Sequence, residues 1–424
     1  MDAAEGALGA PAPGTPAPAV TSPRPGIFAS RNFRLFFFGQ MVSNTGNWLQ
    51  LAAQSILVKE ISGSALWVGA TTAALYVPVW FFALPGGRLA DRFDRRRVLV
   101  ATQVLALAAT AVLAVLAATG HATVLVVMVV AFLVGVQYAI SIPVMQALLP
   151  SLVEPGQIGQ AIGMNSITYN VGRVLGPALA TVIVATVGFG LSFGLNSLSF
   201  AALIAALVMM RPRAEASAVR RGQGSVREAV AYAWSNRRVR LMLAGVAAAA
   251  LAMAPMVTLV PTFAHDVFHS RTADAGLLLS GFGGGAILAG LWLTRAFHSH
   301  GSARFGLLVP GALCFAGGFG GFALSHSFAL GTAALLVGGV GFILVQITFT
   351  TGIQEEVPNE LRGRVMALWT LAFLGVWPIA APLGGALADL ANPRVAILIT
   401  VAPVFLVAMS ASRRLRRPAP AASA

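Results

Sequence analysis

The chain has 424 residues, of which 57% are hydrophobic and only 10% charged. Its 45 glycines raise the apolar share to roughly 68%, against about 45–50% for a soluble domain. With a net charge of +14 and a mean hydropathy of +0.80, a water-soluble globule would expose large apolar patches, which argues against a soluble enzyme and for the bilayer as solvent.

In chain order, residues 1–30 form a Pro- and Ala-rich tail with no apolar core, so neither a helix nor a cleaved signal peptide is expected there. A spanning helix needs about 20 mainly apolar residues. Runs between charges and turn residues predict twelve such helices, near 33–57, 64–87, 98–118, 122–148, 160–187, 191–210, 239–262, 273–297, 303–325, 329–352, 364–387 and 393–410. This is an all-α membrane protein in two pseudo-symmetric six-helix halves, 31–210 and 239–410. A polar linker, 211–238, joins them, and a basic tail, 411–424, follows.

The halves repeat. Arg31-Asn-Phe-Arg34-Leu35 before the first span matches Arg237-Arg-Val-Arg240-Leu241 before the seventh. Pro155 and Gly172 match Pro358 and Gly375, 203 residues on in both cases. Such repeats commonly place a substrate site near the midplane, between halves that rock. With twelve spans both termini share a side, and 24 of the 28 basic residues fall on it. The positive-inside rule then puts both termini and the linker in the cytoplasm, with the chain in the plasma membrane.

The sharpest motif is Gly86-Gly87-Arg88-Leu-Ala-Asp91-Arg92-Phe-Asp94-Arg95-Arg96-Arg97, between spans 2 and 3. Its arginines fit a topology anchor, but topology needs no acids, and Asp91 and Asp94 sit among them. Here the chain resembles the major facilitator superfamily, and within it the branch of the enterobactin exporter and the macrolide efflux proteins. Phe33-Arg34-Leu35, Ser43-Asn-Thr-Gly46-Asn47-Trp48-Leu49-Gln50, Arg173-Val-Leu-Gly176-Pro177 and Val357-Pro358-Asn-Glu360-Leu361-Arg362-Gly363-Arg364-Val365 carry the rest of the resemblance, over residues 28–410.

The resemblance implies twelve helices and a small-molecule substrate, exported by alternating access with proton antiport. It implies a cytoplasmic latch between the halves, from Gly87, Asp91, Arg92 and Arg95 to Glu355, Glu356, Arg362 and Arg364. Two departures stand out. Asn47 occupies a place where relatives often carry an acid, and the superfamily's fourth-helix arginine is absent from the region of Gln137 and Tyr138. The proton carrier therefore has no obvious residue.

Polar residues inside spans mark the candidate cavity. Gln40, Ser43, Asn44, Asn47, Gln50 and Gln54 recur every three or four residues of span 1 and fall within an arc of roughly 120° on a helix. Lipid offers them no hydrogen bonds, so they face protein or water. Either interhelical bonding or a substrate cavity satisfies them. Arg173 falls near the bilayer centre of span 5, with Ser166, Tyr169 and Asn170 on its face. A charge at that depth is costly and marks function by default. No predicted span carries Asp or Glu at its middle. Arg173 thus either attracts an anionic substrate group or couples to a proton carrier, or it is a structural arginine held by its neighbours.

Gln137 and Ser141 in span 4, and Gln346 and Thr350 in span 10, are further candidates at i and i+4 spacing. Tyr76, Trp80, Trp369 and Trp377 either line a cavity or pack. Cys314, the single cysteine, lies in an apolar run. No catalytic residue, metal site, cofactor or nucleic-acid partner is expected, and without a Walker sequence an ion gradient is the expected energy source. Export of amphiphilic or anionic molecules such as antibiotics or siderophores is the leading reading. Import in the same fold and a non-transporting receptor or scaffold are the alternatives.

Overall fold

A computed structural model of the protein describes residues 26–211, 226–296 and 306–415. The predicted tails at 1–25 and 416–424, and the 212–225 part of the linker, lie outside the described residues. Helices account for the described architecture, and there is no strand among the described residues.

The first group comprises α1 (Arg31–Ser62), α2 (Ala65–Arg92), α3 (Arg95–Ala118), α4 (Val124–Leu148), α5 (Ile158–Thr186) and α6 (Phe189–Met209). A short helix follows, α7 (Val226–Ser235). The second group is α8 (Arg237–Thr262), α9 (Ala275–Ala296), α10 (Leu308–Leu324), α11 (Phe328–Glu356), α12 (Asn359–Leu374), α13 (Trp377–Leu390) and α14 (Pro393–Leu415). Among the described residues ten stretches are long and apolar enough to cross a membrane, one of them running through α12 and α13 from Leu361 to Leu390. The apolar helix Leu308–Leu324 is shorter. Helix α1, with 32 residues, has ample length for a membrane, and its amide stripe makes it the most polar of the long helices in the first group.

Local chemistry sets the helix ends. Ser30 accepts from Phe33 N at the start of α1, and Gly63 closes that helix with φ 68°, in the left-handed region. Asp94 accepts from Arg97 N at 2.8 Å and so caps α3. This gives one acid of the Asp91–Arg97 cluster a local structural task. Asn236 caps α8 by accepting from Arg238 N and Val239 N. Residues 226–235 of the predicted linker are therefore helical, and α8 starts at Arg237.

The two groups pack by the same pattern. In the first, α1 lies on α5 and α6, α2 on α4, and α3 on α4 and α6. In the second, α8 lies on α12, α13 and α14, α9 on α11, and α10 on α11 and α14. Between the groups, α2 packs along α13 and α5 along α9.

Contacts fix the relative depth of the elements. Arg31 Nη1 donates to Met209 O at 2.9 Å, so α1 begins where α6 ends. Lys59 Nζ, at the other end of α1, donates to Asp266 Oδ2 at 2.8 Å, just past α8. Helices α1 and α8 thus start at the same end of the bundle. We call it the terminal end.

The core is organised along this depth. From mid-depth to the far end, buried apolar residues of both groups form a single cluster that includes Ile56, Phe200, Met253, Leu259 and Phe319. Toward the terminal end it divides. One cluster gathers Phe33, Phe36, Leu99 and Leu203 of the first group; another gathers Val239, Met242, Leu308 and Ala411 of the second. The far end is also where polar ties bridge the groups. Asp389 accepts from Ala65 N at 2.9 Å, Leu66 N at 3.0 Å and Ser64 Oγ, so the end of α13 caps the start of α2. Thr181 Oγ1 donates to Ala273 O at 2.8 Å.

Glycine permits the close crossing of α2 and α13. A Cβ at Gly69 would strike the Ala381 carbonyl, and one at Gly385 the Ala65 carbonyl. The backbones of α2 and α13 touch directly there. Gly69→Ala should therefore lower the thermal unfolding temperature of the purified protein, at an overpacking cost of about 1–3 kcal/mol. Gly290→Ala, whose Cβ meets open space, should leave that temperature unchanged or slightly raised.

Candidate functional site

A cavity opens at mid-depth in the first group, where α1, α2, α4 and α5 converge. Its walls are Asn44, Asn47, Trp48, Gln50, Leu51, Gln54, Leu75, Tyr76, Val134, Gln137, Tyr138 and Tyr169. Four of the six stripe residues on α1 thus face it, because a 3.6-residue period keeps them on one side of the helix. The cavity measures about 60 Å³, room for a few waters. A drug-sized guest requires the helices to part.

The stripe residues differ in how they are satisfied. Gln50 Oε1 accepts from Thr110 Oγ1 at 3.3 Å and from Asn196 Nδ2, tying α1 to α3 and α6. Asn44 Nδ2 donates to Thr168 Oγ1 at 2.9 Å on α5. Gln40 lies off the cavity, with Nε2 2.8 Å from Met145 Sδ and Oε1 without a partner. Ser43 is buried. One face therefore supplies both interhelical bonds and cavity wall. Helix α4 adds Gln137, whose Nε2 donates to Ser141 Oγ at 3.1 Å, while Ser141 meets Thr102 Oγ1 at 2.9 Å. Ser141 is thus a packing residue behind the wall.

Arg173 stands behind Trp48 and Tyr169. Its guanidinium carbon lies 5.6 Å from the Trp48 ring centre, 5.3 Å from Tyr169 and 5.6 Å from Phe342. Phe342 comes from α11, so the charge sits at the junction of the two groups. Close backbone approach makes room for it. Gly172 and Gly176 press α5 onto α1 at Asn44, Thr45 and Trp48, where any Cβ would collide. Cation–π contact compensates part of the desolvation of a buried cation. Asn170 turns back to its own helix, Nδ2 donating to Ser166 O at 2.9 Å. Across the junction Tyr76 packs 4.7 Å from Trp377, and Trp80 Nε1 donates to Gly375 O at 3.0 Å, where α12 gives way to α13.

Gln346 and Thr350, like Gln40, fall outside this cluster. Thr350 accepts from Trp369 Nε1 at 3.0 Å within the second group, and Gln346 Oε1 has no partner. The latch residues lie at the terminal end. The side chains of Gly87 and Asp91 are outside the described residues. Arg92 is exposed, and Arg95 Nη1 donates to Ala147 O at 3.1 Å. Glu356 pairs with Arg238 at 3.3 Å, Arg364 with Glu228 at 3.8 Å, and Arg362 Nη2 donates to Val357 O at 3.4 Å. Glu355 is exposed in the last turn of α11, at the same corner between α11 and α12. The corner thus meets α7 and the start of α8. Among the described residues no cluster of ligands could hold a metal.

Sequence reasoning missed Trp48, Tyr138 and Phe342 as parts of the site, along with Thr168, Thr110 and Asn196. Trp48 and Tyr138 adjoin named candidates, Asn47 and Gln137, which was the available signal. Lys59, two residues past the predicted end of the first span, is buried at the far end against Asp266.

The family described as "Transmembrane secretion effector", of the major facilitator superfamily, matches residues 24–423. The chain belongs to this family. It is 24% identical to the multidrug efflux pump Tap of Mycobacterium tuberculosis, over 89% of this chain and 92% of that one. It is also 24% identical to the enterobactin exporter EntS of Citrobacter koseri, over 92% and 94%. In fold it is similar to a bacterial homolog of the human lysosomal transporter Spinster, in an inward-facing and unoccupied conformation. The TM-score is 0.71 at 13% identity, covering 94% of this chain and all of that one. The protein is a multi-pass membrane transporter of major facilitator type.

Water access to the cavity can be read chemically. In a Cys314→Ser background, Asn47→Cys and Gln54→Cys should react with a small maleimide at least about tenfold faster than Leu335→Cys, since thiolate formation needs water. Leu335 is fully buried.

Proposed function

We propose that the protein exports small amphiphilic or anionic molecules across the plasma membrane by alternating access, coupled to proton entry. The observation that carries this reading is the division of the core. One shared cluster binds the groups at the far end, and two separate clusters stand at the terminal end. Two bodies hinged at one end around a mid-depth polar cavity can exchange which end is open.

Orientation follows from the positive-inside distribution of arginines, which assigns the terminal end to the cytoplasm. The efflux pump and the siderophore exporter among the relatives support export. On this reading the segment from Gly87 to Arg95, at the corner between α2 and α3, latches the cytoplasmic end when the far end opens, with Glu355, Glu356, Arg362 and Arg364 as its counterpart. Asn44, Asn47, Gln50, Gln54, Gln137 and Tyr169 form the binding wall, with Arg173 behind Trp48 and Tyr169.

Cells carrying the protein should accumulate several-fold less of an exported compound than cells lacking it, and an uncoupler should abolish the difference. Higher accumulation with the protein would reverse the direction; equal accumulation across a broad compound panel would remove the transport reading. Asp91→Asn keeps every arginine of the loop, so it should insert normally and transport several-fold more slowly. Unchanged kinetics in that variant would remove the latch.

A further inference from the structure

Arg173 is charge-incomplete. It is 8% exposed, and its Nε and Nη1 atoms have no hydrogen-bond partner. Its side-chain hydrogen-bond partner is Tyr169, and among the described residues no carboxylate pairs with it. The cavity beside it is lined by amides, aromatic rings and apolar side chains, and by no acid. A buried cation without a counter-ion is unfavourable in a low-dielectric site, and each of its unbonded N–H groups adds to the cost. Ring faces and the Tyr169 hydroxyl offset part of this, but neither supplies a negative charge.

We propose that Arg173 and its ring cage form an anion subsite, and that the guest is a small aromatic acid bound as its carboxylate. The inference rests on the transporter reading and narrows its substrate class. The carboxylate oxygens would accept from Arg173 Nε–H and Nη–H. The flat ring would lie among Trp48, Tyr76, Tyr138 and Tyr169, which already form the cavity wall and stack on apolar rings. Neutral amides of Asn47, Gln50 and Gln137 tolerate either polarity, so the sign of selectivity comes from Arg173 alone. A cationic guest of the same shape meets an uncompensated positive charge and no acid, and is rejected.

The test is binding to the full-length protein in lipid nanodiscs, with no gradient, by calorimetry. The probes are 2-naphthoate, 2-naphthamide and 2-naphthylmethylammonium, equal in ring and nearly equal in size. Naphthoate should bind at least about tenfold tighter than the amide, with the ammonium weakest. Arg173→Lys should keep the order, and Arg173→Gln should erase it. Equal affinities for the three probes, no binding of naphthoate, or an unchanged order in Arg173→Gln would each overturn the subsite. If Arg173→Gln does not fold, the ranking on the wild-type protein decides by itself. Charge-ordered binding without any transport in cells would count against the export reading and leave the subsite standing. Efflux without charge-ordered binding would do the reverse.

Discussion

A hydrocarbon bilayer supplies no hydrogen bonds, and every polar side chain at membrane depth must find its partner inside the protein or in water held by the protein. Six amides and hydroxyls on one stripe of α1 and one guanidinium on α5 are therefore a demand on the rest of the fold. The structure answers with Thr168, Thr110 and Asn196 for the amides of Asn44 and Gln50. For Arg173 it answers with aromatic faces from three helices. What these partners leave unsatisfied defines the cavity wall and the chemistry it can offer a guest.

Meeting that demand needs backbones at close range, and glycine supplies the approach. Gly172 and Gly176 bring α5 against α1, which places Tyr169 and Arg173 beside the stripe. Gly69 and Gly385 bring α2 against α13, which joins the groups. Without an apolar driving force between helices in lipid, such small-residue contacts and interhelical hydrogen bonds carry much of the association. The same residues thus set both the packing of the bundle and the position of the Arg173 charge.

The asymmetry of the core along the membrane normal connects packing to work. At the far end Lys59 with Asp266, and Asp389 with the start of α2, tie together what the apolar cluster already joins. At the terminal end each group keeps its own aromatic or aliphatic cluster, and Glu356 and Arg364 turn to the linker helix and the start of α8. Bodies that are each well packed internally, and joined through few polar ties, can move as units.

The sequence by itself determined the solvent, the helical class and the pairing of the two groups. Hydropathy and the positions of arginines are local properties of the chain, and lipid enforces them residue by residue. The period of the α1 stripe was equally legible, since helical geometry fixes which of its residues share a face. Only the tertiary structure decided which stripe residues bond and which line the cavity, because that depends on what α3, α5 and α6 bring opposite them. It alone placed Trp48, Tyr169 and Phe342 around Arg173, and paired Lys59 with a residue 207 positions away. Those meetings are set by helix crossings, and a crossing is a property of two surfaces that no single segment carries.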